Sequence, residues 1–150
     1  MTDTSANAKV VEALTRLLAD SYTLYLKTHN YHWNVTGPMF TTLHTLFEQQ
    51  YSELALAVDE IAERVRTLGA RAPGSFSEFA KLAAVKEDQG SPAATQMVRN
   101  LTADQQAVVA AARAVIEAGE EVRDQPTVDL ATRRAEVHQK NAWMLRSHLE

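Results

Sequence analysis

A chain of 150 residues with a net charge of −4 and no cysteine makes one domain, residues 1–150, with room for a substantial core. It excludes disulfides, thiolate zinc sites and a cysteine nucleophile. Its acidity gives no general attraction to nucleic acid or anionic membranes, and no segment reaches the length of a membrane span.

Ala, Leu, Glu and Arg are abundant and Gly and Pro few, the balance of an all-α chain. The start, MTDTSANAKV, lacks the apolar stretch of a secretory leader, so the cytoplasm is the expected location and residues 1–6 are expected to be disordered. A first helix is predicted from about Asn7 to Trp33, on the apolar spacing of Val10, Leu14, Leu17, Leu18, Tyr25 and Leu26. Asn34, Gly37 and Pro38 interrupt the pattern and turn the chain. A second helix runs from about Phe40 to Leu68, stopped by Gly69. The long connection 69–92 holds a short helix over Ser75–Val85, with Phe76 and Phe79 needing cover. Ser91 and Pro92 read as N-cap and first residue of a third helix that Gly119 ends near Ala118. An acidic turn, Glu120, Glu121 and Asp124, leads through Pro126 to a fourth helix ending near Leu149. Two hairpins joined by one long crossover is the connectivity of a ferritin-like four-helix bundle.

The informative chemistry lies between His32 and Glu63. His32, His44, Glu48, Asp59 and Glu63 follow one another at separations of 12, 4, 11 and 4 residues. On one helix His44 and Glu48 lie about 40° and one turn apart, and Asp59 and Glu63 form a second such pair. All four fall within an arc of about 100°, but the two pairs are roughly 20 Å apart along the axis. One helix therefore cannot close a metal site with both. Residues 44 and 63, like 48 and 59, centre on 53.5. Two copies packed antiparallel about that point bring His44 and Glu48 of one against Asp59 and Glu63 of the other, as a two-fold contact permits. His32 and His44 stand six residues either side of Pro38, so the hairpin sets them at similar height on neighbouring helices. No histidine has Glu three positions before it, so the Glu-x-x-His motif of a metal site inside the bundle is missing. Imidazole and carboxylate ligands suit divalent iron, with zinc or manganese as substitutes, and disfavour copper(I).

The segment KTHNYHWNVTGPMFTTLHTLFEQQYSELALAVDEIAER, Lys27 to Arg64, resembles the signature of the Dps proteins, the DNA-binding proteins from starved cells, which are miniature ferritins. The resemblance is strong over the first two helices and extends in layout to the rest of the chain. It implies a hollow shell of twelve subunits, a homo-oligomer with ferroxidase centres at its two-fold contacts. By motif, His32, His44 and Glu48 come from one subunit and Asp59 and Glu63 from its partner. Many members carry Asp where this chain has Glu48. Trp33 matches the family's tryptophan beside the centre, whereas His29 has no clear counterpart and is expected to be a structural hydrogen-bonding residue.

The implied activity is oxidation of Fe(II) by hydrogen peroxide, with storage of Fe(III) in the shell and protection of DNA from oxidative damage. Glu120, Glu121, Asp124 and Asp129 match in position an acidic three-fold pore that admits iron. Direct DNA binding is expected to be weak, although nucleoid association remains compatible with the resemblance. The N-terminal segment is not Lys-rich, and twelve copies at −4 carry about −48, repelled by phosphate. Arg133, Arg134, Lys140 and Arg146, interspersed with Glu136 on the last helix, read as a solvated face. The alternative reading is a nucleoid-binding structural shell with incidental metal binding.

Overall fold

The computed structural model describes residues 4–150 as five α-helices and a final 3₁₀ turn: α1 Thr4–Asn34, α2 Phe40–Thr67, α3 Phe76–Leu82, α4 Ala94–Glu121, α5 Gln125–Arg146 and Ser147–Leu149. The helix α1 starts three residues before Asn7; of the segment 1–6, residues 4–6 belong to it and residues 1–3 lie outside the described residues. The four long helices form the bundle, with α1 pairing with α2, α4 with α5, and α1 also with α4. The crossover carries α3 against α1. No described helix is long and apolar enough to cross a membrane.

The core follows the helical spacing. Val10, Leu14, Leu17, Leu18 and Leu24 of α1 meet Leu43, Phe47, Leu54 and Ile61 of α2, and Met97, Leu101, Val108 and Val115 of α4. Burying a side chain of this kind stabilises by about 1.5–3 kcal/mol. At the end of α2, Gly69 adopts a φ of +91°, the left-handed conformation that closes a helix at low cost for glycine. In the crossover, Ser75 caps α3 by accepting from the Glu78 backbone N–H. The short helix stops at Leu82 and not at Val85, because Ala83 is already extended. Phe79 is buried, whereas Phe76 is 72% exposed.

Three boundary expectations are corrected. The helix α4 opens at Ala94 behind an extended Ala93 with no side-chain cap, so Ser91 and Pro92 belong to the connection. Gly119 does not stop α4, which continues to Glu121; an added Cβ at Gly119 would lie 2.9 Å from Val128 Cγ2, so this glycine serves the close approach of α5. The chain reverses instead at Arg123, with a φ of +57°. Glu120 and Glu121 therefore form the last turn of α4, and only Asp124 sits in the connection. A fourth correction concerns charge: Arg133 is exposed, but Arg134 is buried in the bundle and is no part of a solvated face.

Candidate metal centre at the α1–α2 hairpin

The five-residue connection between α1 and α2 brings His32 and His44 into contact. The Phe40 N–H bonds the Gly37 carbonyl at 3.0 Å, and Gly37 takes a φ of +102° to make the turn. The two imidazoles stack at 3.8 Å between centroids and 12° between planes. They are locked reciprocally: His32 Nδ1 donates to the His44 carbonyl at 2.6 Å, and His44 Nδ1 donates to the His32 carbonyl at 2.7 Å. A carbonyl can only accept, so each Nδ1 carries a proton, and in the neutral ring each Nε2 has its lone pair to offer. One of these bonds also reaches a carbonyl in the last turn of α1, where helix geometry leaves acceptors without a helical donor. An outer hydrogen bond at one ring nitrogen, freeing the other, is how metal-ligating histidines are oriented. The site fits a divalent ion in its donor chemistry.

Glu48 stands exposed one turn beyond His44, and its charge, after burial, raises the Tyr51 pKa. Asp59 and Glu63 are likewise exposed on α2. A hydrogen bond with Asp59, and then the charge of Asp59, push the Glu63 carboxyl above its ordinary range. Like charges this close disfavour ionisation of both carboxyls together. The structure thus brings His32 to His44 and Asp59 to Glu63, but not the two sets to each other. Among the described residues no three His, Asp or Glu side chains of one chain converge as a metal site.

The aromatic surroundings were only partly expected. Trp33 is 58% exposed beside the centre. His29, expected to hydrogen-bond, is instead sandwiched between Trp33, at 3.9 Å, and Tyr51, at 4.2 Å. Burial, then the neighbouring charge of His32, lowers its pKa. Tyr51 also meets the His32 ring edge-on at 5.3 Å, and Phe40 covers His44 at 4.9 Å. Sequence reasoning assigned neither Tyr51 nor Phe40 to the site; their helical spacing from Glu48 and His44 was the available signal. Leu26, Phe40, Leu56 and Phe76 leave further apolar surface uncovered.

The acidic residues near the α4–α5 connection differ among themselves. Asp124 is engaged on both oxygens, accepting from Arg64 Nη2 at 2.8 Å, from the Thr127 hydroxyl at 2.5 Å and from the Thr127 backbone N–H. It is the N-cap of α5. Asp129 accepts from Gln125 at 2.7 Å, and Glu121 lies 3.9 Å from Lys9. Glu120, Glu121 and Asp129 remain exposed.

A ferritin-like domain model matches residues 11–150. A "DNA protection during starvation protein 2" of Bacillus anthracis is 34% identical over 143 residues, covering 95% of this chain and 98% of that protein. The crystal structure of a Dps protein from Vibrio cholerae O1, described as a member of a broad superfamily of ferritin-like diiron-carboxylate proteins, superposes with a TM-score of 0.94 at 35% identity, covering 99% of this chain and 93% of that one. The chain belongs to the Dps family. Another relative within reach of this Dps chain is a low temperature-induced protein of Nostoc sp., uncharacterised, 46% identical over 143 residues, or 94% of this chain and 80% of that protein.

Proposed function

We propose that this Dps protein stores iron and consumes peroxide, oxidising Fe(II) with hydrogen peroxide at centres shared between two subunits. The observation that carries the reading is the reciprocal His32–His44 pair, with two ring nitrogens left free on a face that lacks the carboxylates to complete a site. A second copy turned about residue 53.5 supplies them as Asp59 and Glu63. The uncovered apolar side chains Trp33, Leu56 and Phe76 on the outward surface support such a contact.

In this reading Fe(II) is the substrate. His32 and His44 present Nε2 to it, Glu48 adds a carboxylate from the same subunit, and the other subunit's copies of Asp59 and Glu63 close the centre. Two Fe(II) ions give one electron each to hydrogen peroxide, the O–O bond breaks, and two protons from solvent complete two waters. Taking both electrons at one centre avoids release of hydroxyl radical. The carboxylates favour the harder Fe(III) product, and the side chains act through position and charge. Zinc or manganese suits the same donors. Fe(III) then collects inside the shell, a dodecamer by analogy with the family, in the cytoplasm. Glu120, Glu121 and Asp129 focus incoming cations, while Asp124 contributes chiefly as a cap. DNA protection follows from removing iron and peroxide and requires no contact with DNA.

The test is an anaerobic Fe(II) titration followed by hydrogen peroxide, reading ferric absorbance and peroxide consumed. Fast oxidation near two Fe(II) per peroxide, with iron retained in a large particle, is expected. Oxidation no faster than in buffer overturns the reading and leaves a nucleoid-binding shell to be tested by DNA mobility shift.

A further inference from the structure

Where α2, α4 and α5 meet, the bundle holds a second set of groups that the hairpin centre does not use: a buried guanidinium, imidazole and amide with a half-exposed carboxylate. Arg134 of α5 is only 4% exposed. Its guanidinium donates from Nη1 to Glu53 Oε2 at 2.5 Å and from Nη2 to Glu53 Oε1 at 3.0 Å. The same Nη2 donates to His138 Nε2 at 3.1 Å. A guanidinium has no acceptor, so His138 holds its lone pair on Nε2 and its proton on Nδ1, which donates to Gln105 Oε1 at 2.6 Å. A carboxylate oxygen from α2 and an imidazole nitrogen from α5 thus converge on one cationic nitrogen. The imidazole is fixed from behind by an amide of α4, the outer support typical of a metal-ligating histidine.

Further buried polar atoms lie on the same helices. Gln50, one turn before Glu53 on α2, is buried with both side-chain amide atoms unpartnered, and so is Arg134 Nε. Buried polar atoms are nearly always partnered. The Gln50 amide oxygen is thus an unoccupied buried acceptor, whereas Glu53, Gln105 and His138 are already engaged.

We propose that Arg134 is an internal cation seated in what is otherwise a divalent-metal position, and that removing it opens a mid-bundle site in which Glu53 and His138 Nε2 are the protein ligands. Ferritin-like proteins that hold metal within the bundle do so with inward-facing Glu and His on facing helices. Here a side chain supplies the positive charge, and the bundle interior is closed to iron. Coordination asks the Glu53 and His138 atoms to close from about 3 Å to about 2 Å around an ion. Burial, the larger cause, and the charge of Arg134 lower the His138 pKa; the burial remains when Arg134 is replaced and continues to favour the neutral ring. Oxygen and nitrogen donors of this kind accept Zn(II), Co(II), Mn(II) or Fe(II).

This proposal is independent of the two-fold centre, and its test separates them. In a His32→Ala/His44→Ala background, which removes the outward imidazoles, Co(II) retained after dialysis is counted and its visible absorption recorded. Adding Arg134→Met, and separately Arg134→Ala in case one neutral variant packs poorly, is expected to raise retention by about one Co(II) per chain. A cobalt absorption band should appear with it. Adding Glu53→Gln should abolish both, and Arg134→Lys, which keeps the charge, should gain neither. Neutral variants of unchanged helix content that hold no more Co(II) than the background overturn the proposal, as does a gain that survives Glu53→Gln.

Discussion

The outward face of the α1–α2 hairpin and the polar layer inside the bundle are built from the same side chains and differ in what neutralises them. Inside, the Glu53 carboxylate and the His138 ring nitrogen are both occupied by Arg134. Outside, His32 and His44 spend only Nδ1 on the backbone, and Asp59 raises the pKa of Glu63 through a hydrogen bond and its charge. A residue type therefore does not make a site; an open lone pair and an unbalanced charge do. The inner groups are paired with one another, whereas the outer ones leave donor atoms open to a ligand.

The contrast can be broken by exchanging effects between the two regions. His32→Ala should slow peroxide-dependent iron oxidation by roughly tenfold or more, while costing only about 1 kcal/mol for the lost hydrogen bond; stopped-flow absorbance and urea unfolding read the two quantities. An unchanged rate in both His32→Ala and Asp59→Ala would remove these residues from the centre. Glu53→Ala should do the reverse. It leaves the Arg134 guanidinium buried without its carboxylate, a loss of about 2–3 kcal/mol, discounted from a fully buried pair because the Glu53 side chain is 43% exposed. Oxidation rate per assembled particle should stay at the parent value.

Acid should act on the interior through His138. The His138 pKa falls from an ordinary 6.5 to about 3 on folding. The unfolded chain thus binds this proton more readily, and the contribution to stability, full above pH 6.5, is lost as pH falls toward 3. Thermal melts across that window should show a falling midpoint, and His138→Gln should flatten the slope. A slope identical in the variant would assign acid sensitivity elsewhere. The smallest effect is expected at the α4–α5 connection, where Asp124→Ala should cost about 1 kcal/mol for a lost cap. Iron uptake should barely change, because both Asp124 oxygens are already engaged; a large uptake defect would return this carboxylate to the pore.

The outward face was the more legible region. Helical periodicity located the four long helices, and the equal distance of His32 and His44 from Pro38 placed them at similar height on neighbouring helices, where they stack. Such readings rely on short separations along the chain, where local geometry decides. The interior layer depends on α2, α4 and α5 meeting, and Arg134, beside the exposed Arg133, resembled another solvated charge. Its four-residue spacing from His138 and from Leu130, both buried, was the signal of its true face. Gly119 misled for a related reason: its small size is required by Val128 across the helix pair and not by a turn. Ser91 and Pro92 had a capping pattern, but Ala93 remains extended and the helix begins after it.

The reciprocal histidine lock also bears on the order of assembly. It links residues only twelve apart in sequence, and closing so short a loop is among the fastest events open to a chain, on the order of 100 ns. The His32–His44 pair is set within a single subunit, so if the centre is shared as proposed, association joins finished pieces. Subunits exchanged between shells would carry their histidine geometry with them, so a mixed particle made from His32→Ala and Asp59→Ala chains should regain one intact centre at each contact where the two meet.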